Sequence, residues 1–140
     1  MKLKEALSNE RYRGAPIAWK ILLVLGLLNL FRGSIHFFAD DGGAGRIAGI
    51  DLTHSREVIV FLFAVMGVEQ LVTAIVDLSI ALRYRALVPA WLTIHLVKAT
   101  GAVIILWLYK GLPAPGKYGA LLFLPIIAFA LYASLRPRDS

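Results

Sequence analysis

Val58 to Leu82 reads VIVFLFAVMGVEQLVTAIVDLSIAL, and the reading of that run decides the fold. It is apolar almost throughout, and its ionisable side chains are Glu69 and Asp77 alone. A bilayer hydrocarbon core about 30 Å thick requires roughly twenty mostly apolar residues as helix. The run therefore predicts a membrane-spanning helix over about 58–82. Three further blocks meet the same criterion, at about 17–38, 87–109 and 118–135. Strands of a membrane barrel would be about ten residues long with strict alternation, and none of these blocks alternates. The expected fold class is all-α: a polytopic membrane protein, a four-transmembrane-helix antiparallel bundle, with residues 1–140 as a single domain.

Composition agrees with that reading. Of 140 residues, 59% are hydrophobic and 17% charged, against about a quarter charged in soluble domains. The mean hydropathy is +0.72. A net charge of +6 raises the question of nucleic acid. The cations gather at the ends of apolar blocks instead of forming a basic face with interleaved aromatics, so no nucleic-acid partner is expected. Cysteine is absent, which excludes disulfides, thiolate catalysis and cysteine-ligated metal. The polar start MKLKEALSNERYRGAP runs into an apolar block of full spanning length, so a cleaved secretory signal is not expected.

The connections set the topology. RYRA, 83–86, is too short for anything but a tight helical hairpin. GLPAPG follows the third block, and a loop over about 39–57 follows the first, long enough to carry a short interfacial helix. Lys2, Lys4, Arg11, Arg13, Arg83, Arg85, Arg136 and Arg138 fall on one side of this topology, with Lys20 close to it. Arg46, Arg56, Lys110 and Lys117 fall on the other. The positive-inside rule then places both termini in the cytoplasm and the 39–57 loop outside the inner membrane.

Polar residues within spans are the candidate site, because each charge costs roughly 2.5–3.5 kcal/mol at a helix centre on insertion scales. Asn29, Arg32 and His36 recur on the first span; Glu69, Thr73 and Asp77 on the second; Trp91, His95 and Lys98 on the third. Each set has helical spacing, so each forms a stripe, and three stripes predict a shared polar interior enclosed by the first three helices. Glu69 pairs naturally with Lys98 by depth. Counted from the span ends, Glu69 lies about five residues deeper than Arg32, roughly 7–8 Å, which an arginine could close. Asp77 and His95 form a second candidate pair near the cytoplasmic end. Such pairs either specify helix register or serve a functional polar cavity.

At the outer face His36, Asp40, Asp41, Asp51, His54 and Glu57 offer imidazole and carboxylate ligands. Their spacing matches no ligand motif, so no metal is expected, and His36, Asp40, Asp41 and His54 are the candidates to examine. GGAG within DDGGAGR lacks the phosphate-loop pattern and reads as a flexible turn. Trp19, Trp91, Trp107, Tyr109 and Tyr118 lie near span ends, as interfacial belt residues do. Pro89 suits a first helical turn and Pro125 should kink the fourth span. No nucleophile stands in a recognisable catalytic context, and no motif names a cofactor.

In layout the chain resembles small bacterial four-helix inner-membrane proteins of the DoxX-like type. The resemblance lies in FRGSIHFF on the first helix, the glycine-bearing loop DDGGAGRIAGIDL, a tight hairpin, and an uncharged fourth span. It implies the architecture and carries over no catalytic residue. The expected function is a small integral membrane protein with a polar intramembrane pocket, binding a small lipophilic molecule or serving a membrane complex. Two alternatives stand beside it. One is an intramembrane redox or isomerase enzyme with Glu69, His95 or His36 as acid or base. The other is a proton or ion pathway formed by a homo-oligomer. The expected surroundings are the lipid bilayer, a lipophilic ligand and further copies of the chain.

Overall fold

Each of the four apolar blocks forms a helix in the computed structural model of the chain, which describes residues 8–109 and 116–137. Lys2, Lys4, Lys110, Arg138 and all of GLPAPG but its last glycine lie outside the described residues. Helix α1 spans Pro16–Phe38, α2 Arg56–Arg83, α3 Val88–Val103 and α4 Gly116–Leu135. With α3 taken on through Tyr109, all four are long and apolar enough to cross a membrane. The described residues contain no strand, only an isolated bridge between Gly14 and Pro137.

Helix α2 outruns the apolar block by its charged ends, Arg56 and Glu57 at the start and Arg83 at the finish. Glu57 and Arg83 each complement the helix dipole where they stand. The hairpin after α2 is as tight as expected. Tyr84 leaves helical geometry, Arg85–Leu87 makes one 3-10 turn, and Pro89 sits in the first turn of α3. At its far end α3 widens into a π-helical turn, Ile104–Tyr109, which nothing in the sequence announced. There Trp107 donates Nε1–H to the Lys117 carbonyl at 3.1 Å and packs edge-on against Tyr118. Helix α4 continues through Pro125, whose missing N–H leaves the Leu121 carbonyl without its intrahelical donor.

The chain forms two compact units, Met1–Val24 with Asp77–Ser140, and Leu25–Val76. In the first, the segment before α1 is fastened to the end of α4, where Ala15 N–H donates to the Ala133 carbonyl at 3.0 Å. Helices α3 and α4 pack together, and Ala18, Leu22, Val88, Leu92, Ile127 and Ala130 are buried. In the second unit α1 and α2 cross at two glycines. A Cβ on Gly67 would lie 2.8 Å from the Phe37 nitrogen, and one on Gly33 3.0 Å from the Gly67 carbonyl oxygen. No side chain fits between backbones that close.

The connecting loop forms successive turns instead of an interfacial helix. Gly42 and Gly43 take φ of 59° and 75°, a left-handed geometry that a right-handed helix cannot contain. The turn is pinned, not flexible. Asp41 accepts from Gly43 N–H at 2.8 Å and from Arg46 N–H at 2.9 Å, and His36 Nδ1 meets the Gly42 carbonyl at 2.6 Å.

Gly67→Ala should cost about 1–3 kcal/mol, because the new methyl meets backbone that cannot move aside. Gly101→Ala, with open space around its Cβ, should be neutral or stabilising by up to about 1 kcal/mol through helix propensity. Thermal unfolding in one detergent checks the pair, and equal shifts would remove the glycine crossing from the account.

Candidate functional site: a buried carboxylate shared by an imidazole and an indole

Asp77 lies on α2 and His95 on α3, on either side of the 83–87 turn, and the antiparallel hairpin brings them level. Asp77 is fully buried and His95 is 7% exposed. His95 Nε2 stands 2.7 Å from Asp77 Oδ1. Trp91, one turn before His95, donates Nε1–H to the same oxygen at 2.5 Å. The indole and imidazole also meet edge-on, with ring centroids 5.8 Å apart. An aspartate oxygen taking two N–H donors in a buried setting is the strong, short class of hydrogen bond.

This arrangement fixes the tautomer. With Nε2 donating to the carboxylate, a neutral imidazole carries its lone pair on Nδ1. Among the described residues no partner engages that nitrogen. A carboxylate that orients an imidazole and supports charge on it is competent acid–base chemistry. The Asp77–His95 pair anticipated from the sequence is thus present. Trp91 is its third member and not merely an interfacial aromatic.

The shared polar interior is corrected in part. Thr73, Asp77 and His95 are buried, and Asn29 and His36 are half-buried, but Arg32, Glu69 and Lys98 are exposed. The reason is packing. The buried face of α2 runs through Gly67, Gln70, Ala74, Asp77 and Ala81, at i, i+3 and i+4 spacing, and its small residues leave no room for long charged chains.

The expected Arg32–Glu69 pair is also absent among the described residues: Arg32 takes part in no ion pair. The glycine crossing sets Gly33 against Gly67 and Leu71, which places Arg32 and Glu69 within about 3 Å in level at 1.5 Å rise per residue. Depth therefore does not separate them. Glu69 follows Gly67 by two residues, about 200° around the helix, and so faces away from α1. Its carboxylate accepts from Thr73 Oγ1 at 3.0 Å.

One further polar residue of the second span, visible in the sequence beside Glu69 but off its polar stripe, is Gln70. Gln70 is 8% exposed, and its Oε1 is a buried acceptor without a hydrogen-bond partner among the described residues.

The outer-face acids and histidines do not converge. Among the described residues no three of the His, Asp and Glu side chains are placed to hold a metal ion. His36 Nδ1 and both Asp41 oxygens serve the turn. Asp51 accepts from the Thr53 amide and hydroxyl, His54 Nδ1 meets that hydroxyl at 3.0 Å, and the Asp40 carbonyl accepts from Arg56. The backbone N–H groups of Arg46 and Gly43 hold the Asp41 carboxyl below its usual range, and the Thr53 donors do the same for Asp51.

Comparison with protein families, characterised proteins and solved structures finds no match to this chain.

Two outcomes follow. Asp77→Ala and His95→Ala should each be strongly destabilising, by about 3–5 kcal/mol, since each leaves a buried polar partner alone. The double variant should cost less than the sum by about 1–3 kcal/mol, and additive losses in thermal unfolding would show that the two do not interact. At the loop, a carboxyl with lowered pKa adds stability that is full above its unfolded pKa near 3.8 and is lost as pH falls through the lower folded value. The protection of the Gly43 and Arg46 amides, measured against the intrinsic exchange rate at each pH, should therefore fall only below about pH 3.8. Asp41→Asn should remove that acid dependence.

Proposed function

We propose that this chain is a multi-pass inner-membrane protein, both termini cytoplasmic, that serves as an accessory component of a membrane assembly. In this reading the four helices form an antiparallel bundle, and charged side chains on their outer faces engage a partner within the bilayer. One observation carries it: Arg32 is exposed on α1, a helix long and apolar enough to cross a membrane, and takes part in no ion pair among the described residues. Facing hydrocarbon, such a charge costs roughly 2.5–3.5 kcal/mol on insertion scales. A polar group on a second copy or another subunit removes that cost. The layout shared with DoxX-like proteins agrees with this architecture and assigns no residue a role.

The buried Asp77–His95–Trp91 cluster is read as structural. Asp77 and His95 are buried and hydrogen-bonded to each other, which suits a register lock between α2 and α3. A second reading, binding of a small lipophilic molecule, is favoured by the unpartnered Gln70 acceptor, since a ligand hydroxyl or amide would complete it.

Native mass spectrometry from nanodiscs tests both. Wild type should appear as an assembly, and Arg32→Leu as a folded monomer. A monomer carrying a small lipophilic mass that Gln70→Leu abolishes would replace the first reading with the second. A bare wild-type monomer would contradict both.

A further inference from the structure

The end of the first unit at which α2 turns into α3 holds an arginine in an unusually defined posture. Arg85 N–H donates to Asn9 Oδ1 at 3.1 Å, and Asn9 Nδ2 donates to the Leu82 carbonyl at 2.9 Å. The segment before α1 thereby clamps the turn. The side chain is fixed as well: Nε donates to the Ala81 carbonyl at 2.9 Å, and the guanidinium carbon lies 3.8 Å from the centroid of the Trp19 ring. Two contacts orient the guanidinium plane, and they leave both terminal nitrogens without an acceptor among the described residues. Lys20 lies 5.8 Å from the same indole.

The surrounding charge has one sign. Arg11, Arg13, Arg83 and Arg136 stand at the same end of the unit, against Glu10 as the described acid there. Arg136 rests on Tyr132 at 4.6 Å, a second stacked guanidinium. A planar guanidinium held by an aromatic face, with two free N–H edges, matches the geometry of a phosphate. An apolar neighbour narrows the class. Leu82, three residues before this arginine and tied to it through Asn9, is 53% exposed, so a bound phosphate would have hydrocarbon next to it.

We propose that Arg85, presented by Trp19 and Asn9, binds the phosphate of an anionic phospholipid, with Lys20 and Arg83 as flanking cations. The inference rests on the four helices being membrane spans. Clustered cations immediately outside a span recruit anionic headgroups. Here one of them is already oriented, so the ordering cost of binding is largely met before the lipid arrives.

The test uses full-length protein in vesicles of phosphatidylcholine with or without phosphatidylglycerol, followed by extraction and native mass spectrometry of retained lipid. Phosphatidylglycerol should be retained selectively. Arg85→Gln should reduce that retention by about fivefold for the charge alone, and Arg85→Lys should recover only part of it. Should Arg85→Gln lower the melting temperature, Lys20→Gln with Arg83→Gln provides the readout in a folded protein, again as a drop in retention. Arg56→Gln, on the other unit, should change nothing.

Equal retention of both lipids by reconstituted wild type overturns the site. So does competition by inorganic phosphate at equal concentration, which would make the ligand a soluble anion and not a lipid. Failure of the protein to float with the vesicles overturns the membrane reading itself, and that outcome differs from lipid-blind protein that does float.

Discussion

The constraint on which the rest depends is the apolar exterior of the four helices. In the most hydrophobic window of each, between 11% and 22% of residues are buried within the chain. Phe31, Phe61, Ile75, Val97 and Leu108 are each more than 60% exposed. In water this surface would drive aggregation. In a bilayer it is the correct solvent-facing surface, and stability must then come from close packing and satisfied polar groups, because lipid tails are as apolar as the side chains. The molecule is built that way. Small residues line the contacts, with Gly33 and Gly67 letting two backbones touch and Ala18, Ala81, Ala130 and Ala133 buried.

The same constraint explains how the polar groups are handled. A carboxylate buried away from water must have donors nearby, and Asp77 has two on one oxygen. Where the chain leaves helical geometry, side chains satisfy the freed backbone: Asp41 and His36 at the 39–55 loop, Asn9 and Arg85 at the hairpin. Tyr12 shows the balance at the end of the first unit. Burial pushes its hydroxyl up to about 12 despite the opposing Arg85 charge, so it stays neutral and donates to the Ala15 carbonyl at 2.9 Å. Arg32 differs: it is an exposed cation that takes part in no ion pair among the described residues.

The four long apolar helices were legible because length and hydropathy act over some twenty residues and tolerate errors of one or two at each end. The Asp77–His95 pair was legible for a sharper reason. A hairpin of a few residues fixes antiparallel register, so residues at similar distances on either side of the 83–87 turn are brought together. No such rule binds α1 to α2, whose connection runs through seventeen residues, 39–55. Their register is set by the Gly33–Gly67 approach, and a lone glycine inside an apolar run carries little signal. Counting depth from span ends therefore misplaced Arg32 relative to Glu69, and treating each stripe as inward-facing overlooked that alanine and glycine claim the inner face. Trp91 was half visible. Its spacing put it on the polar stripe of α3, yet its nearness to a span end suggested an interfacial role.

The most direct test of the central claim uses the absence of native cysteine, which makes single-cysteine labelling free of background. In sealed vesicles, Glu10→Cys and Arg46→Cys should react with a membrane-impermeant maleimide from opposite sides. Val72→Cys and Val97→Cys lie at positions exposed on the isolated chain, and they should stay unreactive until the membrane is dissolved and the protein denatured. That pattern means lipid covers the apolar faces. Labelling of Val72→Cys and Val97→Cys in intact vesicles as fast as Glu10→Cys would mean water reaches them, and the four-span account would be wrong.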